Sequence, residues 1–523
     1  MKRLAALMGL MGLMAMATQP ATAGGIVTNT NQSAAFLRNP CRDASIGIDG
    51  VTTNPAGVGF LSEGFHLSLN IQSVRQTRTI TSTFGGFAYG AENNGSMTKE
   101  FEGEANAPIV PSIQAAYNKG RWSWQAAFCI TGGGGKCIFD EGLGSFESIV
   151  SLIPMLASAK GLKISSYDYE SYLKGRQYYF GLQIGSAYKI TDWLSAYGGL
   201  RFTYGSCNYH GYLRNIEVGT ESGMLNAPEY FGGLFEQSLQ AATQCADAAS
   251  QYAALGDMEN AQKYAAMAEQ YKASAVTTGT MAEATKDVTL NCDQTGFGWA
   301  PSLGVHAKAG NFDFAIRYDF RLRMELDNVA ANSESANNMQ ALAKFADGNK
   351  VRDDMAALLT MGVAWNIVEP VRVMVGWHHF FDESAKQYGN KQDLLDGGTN
   401  EFLGGAEWDI IDQLQVSCGV QFTRYPFTDA YMNDISFSCD SWTIGCGLGY
   451  KINEKVKINL AYFNTTYDTY DKQTNDYNNI SNMIGTMIGQ DVAQQMLAGG
   501  MLKGSDSFSR TNKVWGVGVE FNF

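Results

Sequence analysis

Few residues in this 523-residue chain have the types and spacing that catalysis requires. There is no G-x-S-x-G, H-E-x-x-H or C-x-x-C motif, the arrangements typical of a serine nucleophile, a zinc site or a reactive dithiol. The GGGGK segment at 132–136 resembles half of a phosphate loop, but Ile130 replaces its first glycine and Cys137 follows its lysine. The five histidines are too scattered for a metal motif, although His378 and His379 are adjacent. We therefore expect no catalytic residue, no metal and no cofactor, which leaves binding as the chemistry to look for.

Cations at alternate positions of predicted strands are the best binding candidates. If a hydrophobic ligand carries a carboxylate, cations on an enclosed face should meet it through charge-assisted hydrogen bonds. Strand parity places the following candidates on the inner face: Arg201, Arg317, Arg321, Arg323, Arg372 and His378. Asp313, Asp319 and Glu325 share that face, so internal ion pairing is the favoured alternative. The adjacent His379 should point outward.

A methionine-rich amphipathic stretch at 480–502 is a second binding candidate. Thioether side chains fill irregular gaps, so Met483 and Met487 could form an adaptable surface that captures apolar ligands. The alternative, a loop helix packed on its neighbours, is somewhat favoured.

The composition indicates a folded, β-rich chain. It is 45% hydrophobic and 17% charged, with 58 glycines and many aromatic residues, which excludes a disordered protein. The formal net charge of −13 disfavours a nucleic-acid partner.

The N-terminus predicts export. Lys2 and Arg3 precede a short apolar run at 4–17, and Ala21-Thr22-Ala23 forms a small-residue cleavage site. We expect a signal peptide at 1–23 and a mature chain from about Gly24. No later apolar run approaches the roughly 20 residues that a spanning helix needs.

Nine cysteines in an exported chain permit disulfides. Cys129 and Cys137 bracket the four glycines, and Cys245 and Cys292 flank a helical region, so these two pairings are candidates. Small buried thiols are an equally good interpretation.

Apolar and polar residues alternate along many segments. In 311–326 the even-numbered residues from Phe312 to Leu326 are apolar and most odd-numbered residues are polar or charged, and the last strand ends on Phe523 with the same alternation. A transmembrane barrel places the apolar face toward lipid and the other face toward its lumen. About fourteen strands follow this pattern, including a third at 121–131 and a seventh at 311–328. Their connections alternate strictly between tight turns and long loops, as in a closed antiparallel transmembrane β-barrel.

One connection is long and helical. Residues 218–293 contain an Ala-, Gln- and Glu-rich stretch at 234–287 with helical spacing. One part superficially resembles a tetratricopeptide unit, but no second copy follows. We interpret the segment as a helical extracellular insertion.

Several blocks together resemble the FadL/TodX family of outer-membrane transporters, which carry long-chain fatty acids and aromatic hydrocarbons. They are the N-terminal segment 24–62 with Asn54, Pro55, Ala56 and Gly57, the first strand EGFHLSLNI, the blocks 108–135 and 424–450, and the terminal aromatic strand. The Asn-Pro-Ala-Gly element before the first strand is the most specific of these, and the insertion at 218–293 departs from the family pattern. The terminal strand also resembles the assembly signal of bacterial outer-membrane barrels.

The resemblance implies an all-β fold: a 14-stranded barrel over 63–523, occluded by an N-terminal hatch at 24–62. It implies passive uptake of hydrophobic small molecules across the bacterial outer membrane by loop capture, hatch gating and lateral exit beside a kinked third strand. The candidate lateral gate is Gly132, Gly133, Gly134 and Gly135, with a flexible loop entry as the alternative. The expected partners are the cargo, outer-membrane lipid and lipopolysaccharide, and the barrel assembly machinery.

Other functions remain open at this stage. The helical insertion could make the protein a surface adhesin or ligand-binding barrel. A lipid hydrolase would need a Ser-His constellation that the sequence does not reveal, and a general porin is disfavoured by the apparent hatch.

Overall fold

The computed structural model describes residues 26–159, 162–331 and 344–523. The predicted signal peptide at 1–23 lies outside these residues. Within them, no helix combines the length and apolar character needed to cross a membrane.

The chain forms a closed antiparallel barrel of fourteen strands. The strands are β1 (Gly64–Phe84), β2 (Thr98–Lys119), β3 (Trp122–Phe139), β4 (Ser166–Lys189), β5 (Leu194–Thr220), β6 (Val288–Ala309), β7 (Phe312–Asp319), β8 (Leu358–Val368), β9 (Val371–Phe380), β10 (Asn400–Ile411), β11 (Leu414–Arg424), β12 (Ser441–Asn453), β13 (Val456–Tyr467) and β14 (Gly504–Asn522). Each strand pairs with its sequence neighbours, and β14 pairs with β1 to close the cylinder. The predicted 14-stranded barrel is therefore confirmed.

Tight turns and long connections alternate around the barrel, so that it has a short-turn end and a long-loop end. Four short strands extend the wall at the long-loop end: Gly223–Asn226, Glu325–Ala331, Lys350–Arg352 and Tyr470–Thr474. The long connections also contain helices α4 (Gly144–Ala159), α5 (Ala227–Ala254), α6 (Met258–Ala284), α7 (Ile480–Ile488) and α8 (Gln490–Ala498). Helices α5 and α6 form a hairpin, so the predicted helical insertion is present.

The faces of the strands alternate as a lipid-embedded barrel requires. In β14, Trp515 and Val517 are about half exposed on the outer face, whereas Asn512 and Val514 are buried on the inner face. The same alternation in neighbouring strands builds an outward apolar belt, which suits contact with hydrocarbon.

The predicted seventh strand is interrupted. β7 ends at Asp319, and Leu322 then turns inward to form an isolated bridge with Met355. Leu322 and Met324 are buried, and Arg323 is exposed. The inward placement predicted for Arg323 is therefore wrong, because two-residue parity holds only while a strand is continuous.

The N-terminal segment 26–61, here called the plug, lies inside the barrel. It contains the short helices α1 (Ala34–Arg38), α2 (Gly50–Thr53) and α3 (Pro55–Val58). The Ser33 hydroxyl caps α1 by accepting a hydrogen bond from the Phe36 N–H at 3.0 Å. Phe36 packs with Val74 and Phe463 of the wall in a small apolar cluster. The plug is therefore held by apolar contacts as well as by the polar ones described below.

Neither candidate disulfide is present. All nine cysteines lie in the described residues and all are free thiols. Cys129 and Cys137 lie on one strand rather than around a turn, because β3 continues through the glycines to Phe139. Cys245 lies within α5 and Cys292 within β6.

Candidate functional site

A pocket in the lumen lies between the plug and the inner wall. Plug residues Phe36 and Thr52 line one side of it, and β5, β7 and β9 contribute Arg201, Arg317 and His378. The structure thus brings together three of the six cationic candidates from distant parts of the sequence.

The two arginines of this pocket share one carboxylate. Arg201 Nη1 lies 3.2 Å from Asp319 Oδ2, and Arg317 Nη2 lies 3.4 Å from the same oxygen. Asp319 also accepts a 2.6 Å hydrogen bond from the Ser302 hydroxyl. Arg317 donates to the backbone carbonyl of Thr52 in the plug. Internal ion pairing is therefore present, yet two guanidinium groups face a single carboxylate, and neither Nε atom has a hydrogen-bond partner among the described residues.

His378 connects the plug to the wall. Its Nε2 lies 2.8 Å from Asp43 Oδ1 of the plug, and its Nδ1 lies 2.7 Å from Glu401 Oε2 of β10. Glu401 in turn accepts a 2.6 Å hydrogen bond from Gln421. The side chains of His378, Asp43 and Glu401 are all buried. His378 is thus a link between plug and wall as well as a pocket residue.

The Asn-Pro-Ala-Gly element anchors the other side of the plug. The side-chain oxygen of Asn54 accepts a hydrogen bond from the Gly57 N–H. The side-chain nitrogen of Asn54, Nδ2, lies 2.9 Å from Nδ1 of His306 in β6. The carbonyl of Pro55 accepts from Gln125 at 2.8 Å, and that of Ala56 accepts from the Ser195 hydroxyl at 2.6 Å. The element therefore contacts β3, β5 and β6.

A charged network between the plug and the wall lines a cavity at the short-turn end of the lumen. Arg42 of the plug contacts Asp49 at 2.8 Å and Glu407 of β10 at 2.5 Å, and Arg372 lies 3.3 Å from Glu407. Arg38 donates to Gln415 at 2.5 Å. Arg372 is thus an ion-paired residue of this network rather than of the pocket. Sequence reasoning missed Arg38 and Arg42, although two arginines within a small-residue segment were a usable signal.

The remaining candidates lie toward the long-loop end. Arg321 contacts Asp354 at 3.7 Å, away from the pocket. Met483 and Met487 lie on α7 and are buried in an apolar cluster that also includes Ile153 of α4. This methionine pair is part of a packed core between loops, and it offers no open surface in this structure.

The hydrogen-bonded ladder between β2 and β3 is interrupted, which leaves an opening in the pairing of the wall. Their pairing stops at Ile113 with Phe128 and resumes only at Ala105 with Cys137. Pro108 lies in the unpaired part of β2, and Gly132–Gly135 lie opposite in β3. The prediction that the third strand ends at 131 is wrong, because the glycines form an irregular section within a longer strand.

The first described plug residues cover this opening from inside. Thr28 forms a bridge with Gly132, and the Gly133 N–H donates to the Val27 carbonyl at 3.1 Å. A cavity here is lined by Asn29 of the plug and Val110 of β2. The opening therefore lies beside the start of the plug.

One buried acid among the loops has an unusual environment. Asp434, between β11 and β12, accepts a hydrogen bond from the Ser145 N–H at 2.7 Å. Burial, reinforced by nearby Asp506, raises the pKa of Asp434 to about 7. Among the described residues, no group of three or more His, Cys, Asp or Glu could hold a metal ion.

A closed barrel with an apolar outer belt, an internal plug and a lumenal pocket defines a plugged transmembrane β-barrel. No family model and no curated protein matches the sequence.

Solved structures do match the fold. The barrel aligns with the crystal structure of a Pseudomonas aeruginosa FadL homologue at a TM-score of 0.57 and 10% identity, covering 96% of this chain and all of the other. It also aligns with the Pseudomonas putida toluene transporter TodX at 0.47 and 14% identity, covering 91% and 94%. The Ralstonia pickettii toluene transporter TbuX aligns at 0.46 and 14%, covering 93% and 98%. The likeness to the first confirms the fold that the sequence resemblance implied.

Proposed function

We propose that the protein is an outer-membrane channel for passive uptake of hydrophobic small molecules, with the plug acting as its hatch. The observation that carries this proposal is the opening between β2 and β3 beside the plug. An apolar cargo that reaches the lumen has a route sideways into the membrane there. The route straight through is unfavourable, because burying apolar groups among the charges around Glu407 leaves those charges poorly solvated.

The lumenal pocket favours a cargo with an acidic headgroup. Arg201 and Arg317 share the single carboxylate of Asp319, so a second carboxylate would complete two ion pairs. We infer a long-chain fatty acid in preference to an uncharged aromatic hydrocarbon. The long-loop end then faces outside the cell, and the aromatic strand β14 is the contact for the barrel assembly machinery.

A block of the opening tests the route. Val110→Trp places a bulky ring in the cavity beside the opening. We expect it to abolish most uptake of a labelled long-chain fatty acid by cells without their own transporter. Ile113→Trp on the outer face of the same strand is the matched control and should leave uptake intact. Equal uptake by both variants, at equal amounts of folded barrel, would rule out the lateral route.

A second function rests on the α5–α6 hairpin. Leu255 and Met258 are strongly exposed where the two helices meet, at 81% and 58%. Such a tip suits contact with another macromolecule at the cell surface. Replacing 227–284 by a short linker should then abolish cell-surface binding while fatty-acid uptake survives.

A further inference from the structure

A row of cations follows the line of paired residues across the outer face of the barrel. Strand register pairs Arg75 of β1 directly with Lys513 of β14, and Lys136 of β3 directly with Arg176 of β4. Asn106 is the β2 partner of Arg75, and it lies one residue beyond the last β2–β3 pair, next to Lys136. The row therefore runs from β14 to β4 across the lateral opening.

The row lies where the apolar belt ends. In β1 the outward residues from Phe65 to Ile71 are apolar, and Arg75 is the first outward charge above them. Ten residues span about 33 Å along a strand, or about 25 Å along the membrane normal at the usual tilt, which is the height of a barrel's apolar band. In β14, Lys513 is likewise the first outward charge above Trp515. Arg75 and Lys513 thus stand at the level of the lipid headgroups at the long-loop end.

The cations of the row form no direct ion pair with a described carboxylate. Arg75, Lys136, Arg176 and Lys513 take part in none of the ion pairs among the described residues. Like charges directly opposite each other on paired strands destabilise a sheet. The Arg75–Lys513 pair is therefore unfavourable unless an anion lies against it.

A groove of about 810 Å³ provides room for that anion. It lies on the outer surface of β14, β1 and β2, with Arg75 and Lys513 among its lining residues. Trp515 and Tyr462 form its lower side, with ring centroids 5.6 Å apart. Glu104, one step higher on β2, forms its upper edge. Aromatic rings below cations are the usual arrangement at a membrane interface.

We propose that this groove binds the phosphorylated headgroup of an outer-leaflet glycolipid, with Arg75 and Lys513 as the phosphate ligands. Arginine and lysine both bind phosphate oxygens by charge-assisted hydrogen bonds. The acyl chains of the lipid lie along the apolar belt below. Lys136 and Arg176 lie on the other side of the opening and also attract phosphate groups. A bound lipid would therefore lie beside the outer end of the exit route. The assignment rests on the membrane orientation given under Proposed function.

Native mass spectrometry of the purified barrel with added bisphosphorylated lipid A tests this site. The double variant Arg75→Gln/Lys513→Gln should bind this lipid about 10- to 30-fold more weakly than the unmodified protein, given the usual attraction of two cations. The double variant Lys119→Gln/Lys455→Gln removes the same charge at the short-turn end and should bind normally. Dephosphorylated lipid A should bind weakly to every form.

Three outcomes would overturn the assignment. They are equal binding by the two double variants, equal binding of phosphorylated and dephosphorylated lipid, and binding of inorganic phosphate as tight as that of phosphorylated lipid A. Heat-modifiable gel mobility establishes that each variant is folded. Fatty-acid uptake is measured in parallel and should persist in Arg75→Gln/Lys513→Gln, so a failure of the lipid site is distinct from a failure of the transport proposal.

Discussion

The wall between β2 and β3 and the wall between β11 and β12 both contain glycine, yet only the first is open. The β11–β12 ladder runs without a break from Leu414 to Thr423. There Gly445 lies so close to the plug that a Cβ atom would sit 2.3 Å from the Leu37 carbonyl oxygen. In β3, by contrast, Gly133 and Gly135 have φ values of 93° and 70°. Glycine therefore serves close packing in one wall and a break in the ladder in the other.

Backbone conformation and proline, rather than glycine content, distinguish the open wall of this barrel from the closed one. Left-handed φ values take the backbone out of the pleat. Pro108 and Pro111 also remove two N–H donors from the facing part of β2. Both strands are thus unable to pair over the same stretch.

Removal of the plug should have the largest effect, because the plug contacts both the open wall and the closed wall. We expect a barrel lacking residues 26–61 to show large, steady ion conductance in planar bilayers and to lose selectivity for apolar cargo. The unmodified protein should conduct little. Small conductance from a correctly folded plug-less barrel would show that the loops, and not the plug, close the lumen.

Replacement of the two prolines should make the open wall resemble the closed one. Pro108→Val/Pro111→Val restores two donors to β2, so we expect slower hydrogen exchange over 129–136 and reduced fatty-acid uptake. Pro301→Val is the control, since Pro301 lies in β6 where pairing with β5 is continuous. Slower exchange with unchanged uptake would show that the cargo does not pass through the gap between β2 and β3.

Loss of a plug anchor should release the plug without opening the closed wall. Glu407→Gln leaves Arg42 and Arg372 without their shared carboxylate, and breaking a buried ion pair costs about 3–5 kcal/mol. We expect faster protease cleavage within 26–61, while the heat-modifiable barrel persists. Glu221→Gln, at an exposed pair with Lys163, should change nothing. Unchanged cleavage in Glu407→Gln would mean that the apolar contacts of α1 suffice.

The smallest effect concerns the loop above the closed wall. Because the pKa of Asp434 is raised to about 7 from an ordinary value of 3.8, the folded loop binds a proton more tightly than the unfolded loop. The protonated Asp434 side chain therefore contributes fully to loop stability below about pH 4, and this contribution is lost as the pH rises to about 7. Asp434→Asn should remove this dependence in hydrogen exchange measured at pH 5 and pH 8. A retained dependence would assign it to another group.

Much of the barrel could be predicted because strand alternation is local. The alternation of Trp515 and Val517 with small or polar residues is visible in the sequence, and so is the length of each connection. The plug contacts were not predictable in the same way. Asp43 meets His378 across 335 residues of sequence, and nothing local to either residue indicates the other.

The candidate site was predictable only in part for the same reason. Parity correctly placed Arg201 and Arg317 on the inner face, but it failed for Arg323 once the strand was interrupted after Asp319. The alternation of side chains also does not indicate how far along the barrel axis a residue lies. Arg372 was therefore grouped with Arg201 and Arg317, which lie on the other side of the plug.

The seam of the barrel has a consequence for the order of assembly. The Phe523 N–H donates to the Phe65 carbonyl at 2.8 Å, and the Phe65 N–H donates back to Phe523 at 3.1 Å. β1 pairs with β2 on one side, and only its pairing with β14 on the other side closes the cylinder. The plug precedes the wall in the chain, so it becomes fully enclosed only when the β1–β14 seam closes.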